Sequence, residues 1–234
     1  MVADVGLASI STSVPRVQTI DPRTEFKPIT DLFTTSFVIV AKPDRFNSLP
    51  ELIKKAAQQP GRLNYGSAGS ASGQRLSIEM LKARTQTHIT FIPYRGNAEA
   101  LTALISGDVD LISIGLPPVR AHLESGRLKA LATTAPARSA GLPGLLTVNE
   151  ALNIKGYAAE SWVGLYGPPG MAADVAERIQ RDVATAMRTV EIEKFLKIND
   201  YQEGGSSPGA FAARMERDRE KYRALIQELK LSFD

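Results

Sequence analysis

The chain has 234 residues, 43% hydrophobic and 23% charged, with a formal net charge of +3, two histidines and no cysteine. Its lysines and arginines are scattered, with no basic stripe carrying interleaved aromatics, so nucleic acid is not an expected partner. Without cysteine, disulfides, Cys-based zinc sites and thiol catalysis are excluded. No apolar run reaches the ~18 residues of a membrane span, and no charged start followed by an apolar core marks a signal peptide, so the sequence reads as a soluble chain.

Taken in order, the elements alternate in type. FVIVAKP (37–43) is a β-rich run stopped by proline. SLPELIKKAAQQPG follows as a helix, with Ser48 as N-cap, Pro50 early, Glu51 in the first turn and Pro60-Gly61 as terminator. Leu63-Asn64-Tyr65 reads as a strand end and Gln74–Arg84 as a helix, with the small residues Gly66 to Gly73 between them. THITFIPY (87–94) is a strand; 97–107 is a helix capped by Asn97 and ended by Gly107. DVDLISIG, PPVRAHLESG and LKALATT give strand, helix, strand. A Gly/Pro-rich stretch then leads into a strand at 162–166, and two long helical patterns close the chain, the second near Ser206 or Ser207. The lone Trp162 reads as core, and the 208–231 helix as one with a solvated outer face and one packed stripe.

This alternation predicts an α/β chain with a mostly parallel sheet, in which ligands bind at the carboxyl ends of strands. The Gly66–Gly73 run lies at such an end. Small side chains let a ligand approach the backbone, and a helix start offers unpaired N–H groups and the positive end of a dipole to a carboxylate or phosphate. The alternative is a plain surface turn.

The ordered series YGSAGSASG, IPYRG, SGDVDL, ESGRLKALATT, R-x-x-G-L-P and SWVGLYGPPG resembles the substrate-binding receptors of tripartite tricarboxylate transporters, the Bug receptors. Members of that family read Y-A-S-A-G-N-G-T-S-S-H-L, V-P-Y-K-G, G-Q-V-D-L, A-G-K-L-R-A-L-A-V-T and S-W-x-G-L-x-A-P-A-G at these places, and the match runs over roughly residues 28–231. The resemblance implies a bilobed type II periplasmic-binding-protein fold that closes on a small carboxylated solute. It also implies no chemistry on that solute, membrane transporter subunits as partners, a periplasmic location and no cofactor or metal. VGLASISTSVPRVQTI is similar to a segment well inside the family's first lobe, so the expectation is a first lobe incomplete at its N-terminal side. That lobe comprises 1–36 with 159–234, and 37–158 forms a complete second lobe. A further expectation is weakened solute binding and self-association through the shortened lobe.

On this reading the ligand-binding candidates are Ser9 and Ser11, with Thr12 beside them, on the first lobe. On the second they are Ser67, Ala68, Gly69, Ser70, Ala71 and Ser72 in the small-residue turn, and Tyr94, Arg95, Gly96 and Asn97 one strand later. The turn is expected to present several N–H groups free of protein partners. Arg95 is a candidate for bidentate pairing with a carboxylate, although the family's residue there often faces solvent. Three departures bear on the solute: Arg75 stands where the family has histidine, Ser70-Ala71-Ser72 replaces Asn-Gly-Thr, and Ser113-Ile114-Gly115 replaces an acidic-then-Asn pair. An enzyme is not expected. A G-x-S-x-G elbow is absent, no lysine completes an amidase-like serine site, and His88 and His122 lack any H-E-x-x-H or paired-carboxylate spacing. The other class weighed is an effector-sensing domain of the same bilobed fold, although no helix-turn-helix pattern accompanies it.

Overall fold

A computed structural model describes residues 1–6, 10, 21–139 and 141–231. The elements are β1 (Val2–Asp4), α1 (Pro22–Glu25), β2 (Lys27–Ala41), α2 (Leu49–Gln58), β3 (Asn64–Ala68), α3 (Gly73–Thr85), β4 (Thr90–Tyr94), α4 (Asn97–Ser106) and β5 (Leu111–Gly115). They continue with α5 (Leu116–Glu124), β6 (Lys129–Thr133), α6 (Val148–Leu152), β7 (Glu160–Gly167), α7 (Ala173–Met187), α8 (Val190–Asn199), β8 (Tyr201–Glu203) and α9 (Pro208–Glu228). The chain divides into two compact units, Met1–Thr35 with Ser161–Asp234, and Ser36–Glu160. The chain passes between them inside β2 and at the start of β7.

In the unit 36–160 the second half of β2 lies between β5 and β6, antiparallel to both, while β3 pairs in parallel with β5 and β4. The strands β5, β3 and β4 therefore point the same way, and each is followed by a helix. Val38, Val40, Ile112 and Ile114 meet Leu104, Leu116, Val119 and Leu128 in one buried cluster. On α2 the stripe Leu49, Leu52 and Ala56 is fully buried, and each of the two leucines contributes about 1.5–3 kcal/mol by leaving water. Ser48 caps that helix and accepts from the Glu51 N–H, as the sequence predicts.

In the other unit β1 pairs with β7, and residues 33–35 of β2 pair with β8. Trp162 is buried, as expected, and its indole N–H donates to Asp218 Oδ2 at 2.7 Å. Phe211 meets the Trp162 and Tyr166 rings at 5.1 and 5.5 Å. A Cβ on Gly164 would run into the Phe211 ring, so a glycine is required there by space alone. The stripe Phe211, Met215, Tyr222 and Ile226 forms the buried side of α9.

Four sequence expectations change. The sheet is not mostly parallel: among the described residues β2 runs antiparallel to β5, β6 and β8 and β1 to β7, and only β3 pairs in parallel, because β2 returns between β5 and β6 without a crossover in its own direction. The strand expected from Phe37 begins at Lys27, because Thr30, Asp31 and Thr34 are polar residues that are nonetheless buried. Asp31 is satisfied by the Ser206 N–H and hydroxyl at 3.0 and 2.6 Å and by Arg214 at 3.1 Å, all remote in sequence. The first of the two closing helical patterns is two helices, α7 and α8, broken at 188–189. A short helix, α6, also stands in the Gly/Pro-rich stretch. It opens with a capping box in which Thr147 and Glu150 satisfy each other's backbone N–H groups.

Candidate functional site

Three helices, α3, α4 and α5, start at the carboxyl ends of the parallel strands β3, β4 and β5, so their N-termini share one edge of the sheet. Each contributes partial positive charge to that edge. What distinguishes them is how each start is built.

The β3–α3 turn is shorter than the sequence suggests. Ser67 and Ala68 are the last residues of β3, and only residues 69–72 lie between strand and helix. Ser67 is 2% exposed, and its hydroxyl pairs with that of Ser72 at 2.8 Å. Ser72 is the N-cap: its Oγ accepts from the Arg75 N–H at 3.2 Å and donates to the Gly69 carbonyl at 3.2 Å. Gly69 has φ of +78°, the left-handed region that favours glycine, and a Cβ there would meet nothing within 4 Å. The Gly69 N–H does not conform to the expectation of free donors. It is consumed by the carbonyls of Ser67 and Tyr94, at 3.1 and 2.9 Å. Among the described residues, the N–H groups of Ser70, Ala71, Ser72, Gly73 and Gln74 have no acceptor. Gly66 needs its missing side chain for another reason: a Cβ there would lie 3.0 Å from the Tyr94 ring and 3.4 Å from Ile112.

Arg75 departs furthest from its appearance in the sequence. It is buried, its guanidinium lies 4.4 Å over the Phe91 ring, and its Nη1 donates to the Ser70 carbonyl at 3.0 Å. Nearby, Tyr65 donates to Glu79 Oε1 at 2.5 Å, and Lys82 reaches the same carboxylate at 2.8 Å. Burial, with the Glu79 charge second, pushes the Tyr65 hydroxyl far up, so it stays protonated. Deeper still, the Ser77 hydroxyl donates to Gln74 O and pairs with the Ser113 hydroxyl at 2.6 Å, and the Tyr157 hydroxyl donates to Ser77 O. Ser113 is therefore buried scaffolding for α3.

The β4–α4 turn is plainer. Asn97, expected as the cap, is the first helical residue; the N-cap is Gly96, which has no side chain to close the helix. The reason is that β4 ends at Tyr94 and the backbone stays extended through Gly96, at φ −169°. Asn97 is exposed and accepts a long hydrogen bond, 3.4 Å, from Gln74. The Arg95 side chain is exposed, and its backbone N–H donates to Glu99 Oε2 at 2.8 Å. Tyr94 packs beside Gly66; partial burial, then the charges of Asp108 and Glu99, raise its hydroxyl above the ordinary tyrosine value.

Ser67–Ser72 and Tyr94–Asn97 are thus brought to one sheet edge, while Ser9, Ser11 and Thr12 lie outside the described residues. The sequence reading missed Arg75, Ser77 and Tyr157 as scaffolding; their partners are distant in the chain and no local spacing announces them. Cavities of about 470 Å³ beside Lys27, Gln180 and Ser207, and about 400 Å³ beside Leu128 and Leu142, are lined by none of these residues. Among the described residues no group of three His, Asp or Glu could hold a metal, and no helix is long and apolar enough to cross a membrane.

A UPF0065 protein of Pseudomonas sp. (strain P51) is 28% identical over 99% of this chain and 69% of its own length. One from Bordetella pertussis is 32% identical over 75% of this chain, which covers 54% of that relative; the chain thus spans about half to two thirds of such relatives. Among solved structures, R. palustris Rpa4515 with adipate superposes with a TM-score of 0.93 at 27% identity, over 99% of this chain and 77% of that one. The periplasmic binding protein BugD, at 22% identity, shares the fold with a TM-score of 0.89 over 99% of this chain and 78% of its own. These neighbours give the α/β architecture the fold of periplasmic solute-binding proteins. The model of the tripartite tricarboxylate transporter family receptor matches residues 5–231, and the chain belongs to that receptor family.

Proposed function

We propose that this chain is a solute receptor that holds a small carboxylated molecule at the shared edge of β3 and β4. The carboxylate sits on the N–H groups of the turn 70–74, with the hydroxyl of Ser72 and the backbone around Gly69 shaping the approach. On this reading the receptor works in the periplasm and delivers its solute to the membrane subunits of a tripartite transporter. Tyr94, Gly96 and Asn97 form the neighbouring wall, and Arg95 stands at its solvent rim.

The observation that carries the proposal is the build of the α3 start. Among the described residues, five N–H groups without an acceptor follow an open, left-handed glycine at a helix N-terminus. Such a place suits an anion, because donors and dipole act together. The adipate bound by Rpa4515 makes a dicarboxylate the natural first probe. Titration of the ¹⁵N-labelled chain with adipate, followed by shorter and longer dicarboxylates, tests it. The expected result is a saturable shift of the amide signals of residues 70–74. Saturable binding that moves only amides elsewhere would move the site, and binding of none of the acids would remove the proposal.

A further inference from the structure

The end of β3 and the turn after it hold three serines, Ser67, Ser70 and Ser72, and their hydroxyls are spent unequally. A serine hydroxyl has one proton to give and two lone pairs to fill. Ser72 is saturated. A carbonyl can only accept, so in the 3.2 Å contact with the Gly69 oxygen the proton is that of Ser72. In the 2.8 Å pair with Ser67 the proton then comes from Ser67, and the second lone pair of Ser72 Oγ receives the Arg75 N–H at 3.2 Å. Ser67 has thus given its proton away as well, and it is 2% exposed. Neither hydroxyl can donate to a solute without breaking the bonds that close the turn.

Ser70 is built the other way. Its carbonyl is held by Arg75 Nη1 at 3.0 Å, while its hydroxyl makes no hydrogen bond among the described residues. The residue is half-buried, and its backbone carries the first of the five N–H groups without an acceptor. Only Cα and Cβ separate that nitrogen from Oγ, so the hydroxyl stays within about 4 Å of it in every rotamer. An anion resting on the Ser70 N–H therefore has an uncommitted O–H beside it.

Resting on the reading of this turn as the carboxylate site, we propose that Ser70 is its specificity-determining side chain: its hydroxyl donates to the bound carboxylate, while Ser67 and Ser72 hold the turn and do not touch the solute. The class of head group follows from the direction of the protons. The two carbonyls that flank the Ser70 N–H, those of Gly69 and Ser70, are occupied by Ser72 and Arg75. What this part of the turn presents is donors. An ionised carboxylate, with acceptors on both oxygens, fits them; a carboxamide of the same shape turns an NH2 group toward other donors and is rejected.

The test measures adipate binding by amide titration and calorimetry for the wild type, S70A, S70T, S67A and S72A, with urea unfolding of each. S70A is expected to bind adipate about tenfold more weakly at an unchanged urea midpoint, the loss of a hydrogen bond to a charged group. S70T keeps the hydroxyl and is expected to bind like the wild type. S67A and S72A are expected to unfold at lower urea and to lose less affinity than S70A. Adipamide is expected not to bind the wild type. Unchanged affinity in S70A, a loss in S70T as large as in S70A, or a larger loss in S67A or S72A overturns the proposal while leaving the site in place. Adipamide binding as tight as that of adipate does the same. A wild type whose 70–74 amides do not respond to adipate overturns both this proposal and the site reading. Should S70A not fold, S70V, isosteric with S70T, is read against it in the same way.

Discussion

The two strand-to-helix turns at the edge of β3 and β4 have the same topology and opposite construction. At the α3 start, Ser72 caps, Ser67 braces the cap, and Arg75 holds the Ser70 carbonyl. At the α4 start a glycine stands at the cap, no side chain closes it, and Glu99 braces the Arg95 N–H. Both helices bring the same dipole to the edge. Only one turn has its donors fixed in direction, and a fixed donor costs less entropy when an anion arrives than a mobile one. The comparison teaches that the strand–helix repeat supplies the potential, while the side chains behind a turn decide whether it is a site.

The strongest way to break the comparison is to overfill the better-built turn. Gly66→Val places a side chain in β3, just before that turn, against Tyr94 of β4 and Ile112 of β5. The expected loss is about 1–3 kcal/mol in urea unfolding, typical of overpacking. Gly96→Ala, in open space with extended backbone, should stay within about 0.5 kcal/mol of wild type. Equal losses for the two would mean that the turns are not built differently.

Next in size are the caps. Ser72→Ala removes the Arg75 N–H acceptor and the Ser67 partner, and should cost about 1 kcal/mol, the usual worth of a side-chain cap. Asn97→Ala removes only the long contact to Gln74 and should be close to neutral in the same melts. Gly69→Ala should cost about 1 kcal/mol through its left-handed backbone, since no atom obstructs the new methyl. On the proposed function, a bulkier residue at Gly69 should also weaken adipate capture while the fold persists. Undiminished titration would make the segment only a turn.

The same contrast shows what could be read in the sequence. The run FVIVA, the Ser48 cap and the small residues after Tyr65 are local signals, and the structure places a strand half, a capped helix and a strand–helix turn there. The first half of β2 was illegible because its buried Asp31 is satisfied by Ser206 and Arg214, more than 170 residues away in the chain. Arg75 was legible as a departure from the family's pattern but not as a buried clamp, since Phe91 and the folded turn define its position. Asn97 misled for the opposite reason. Its type is favoured at caps, but the helix begins one residue earlier, with Gly96 at the cap.

A third helix start sharpens the comparison at its smallest scale. The α6 cap uses a carboxylate: Glu150 accepts from the Thr147 N–H at 2.9 Å and pairs with Arg138. The backbone hydrogen bond from Thr147 first, then Arg138, holds the Glu150 carboxyl below its ordinary value of 4.5. Because the folded state lowers this carboxyl's pKa, its contribution is present above the unfolded value and is lost as pH falls through the lowered folded one. Glu150→Gln should therefore lower Tm slightly at pH 7, and the difference should vanish in acid below the folded pKa. The Ser72→Ala deficit comes from a hydroxyl cap and should not change over the same pH range, provided both proteins remain folded. A Glu150→Gln difference that persisted unchanged into acid would mean that the carboxylate's charge has no part in the cap and that α6 begins, like α3, on neutral hydrogen bonds alone.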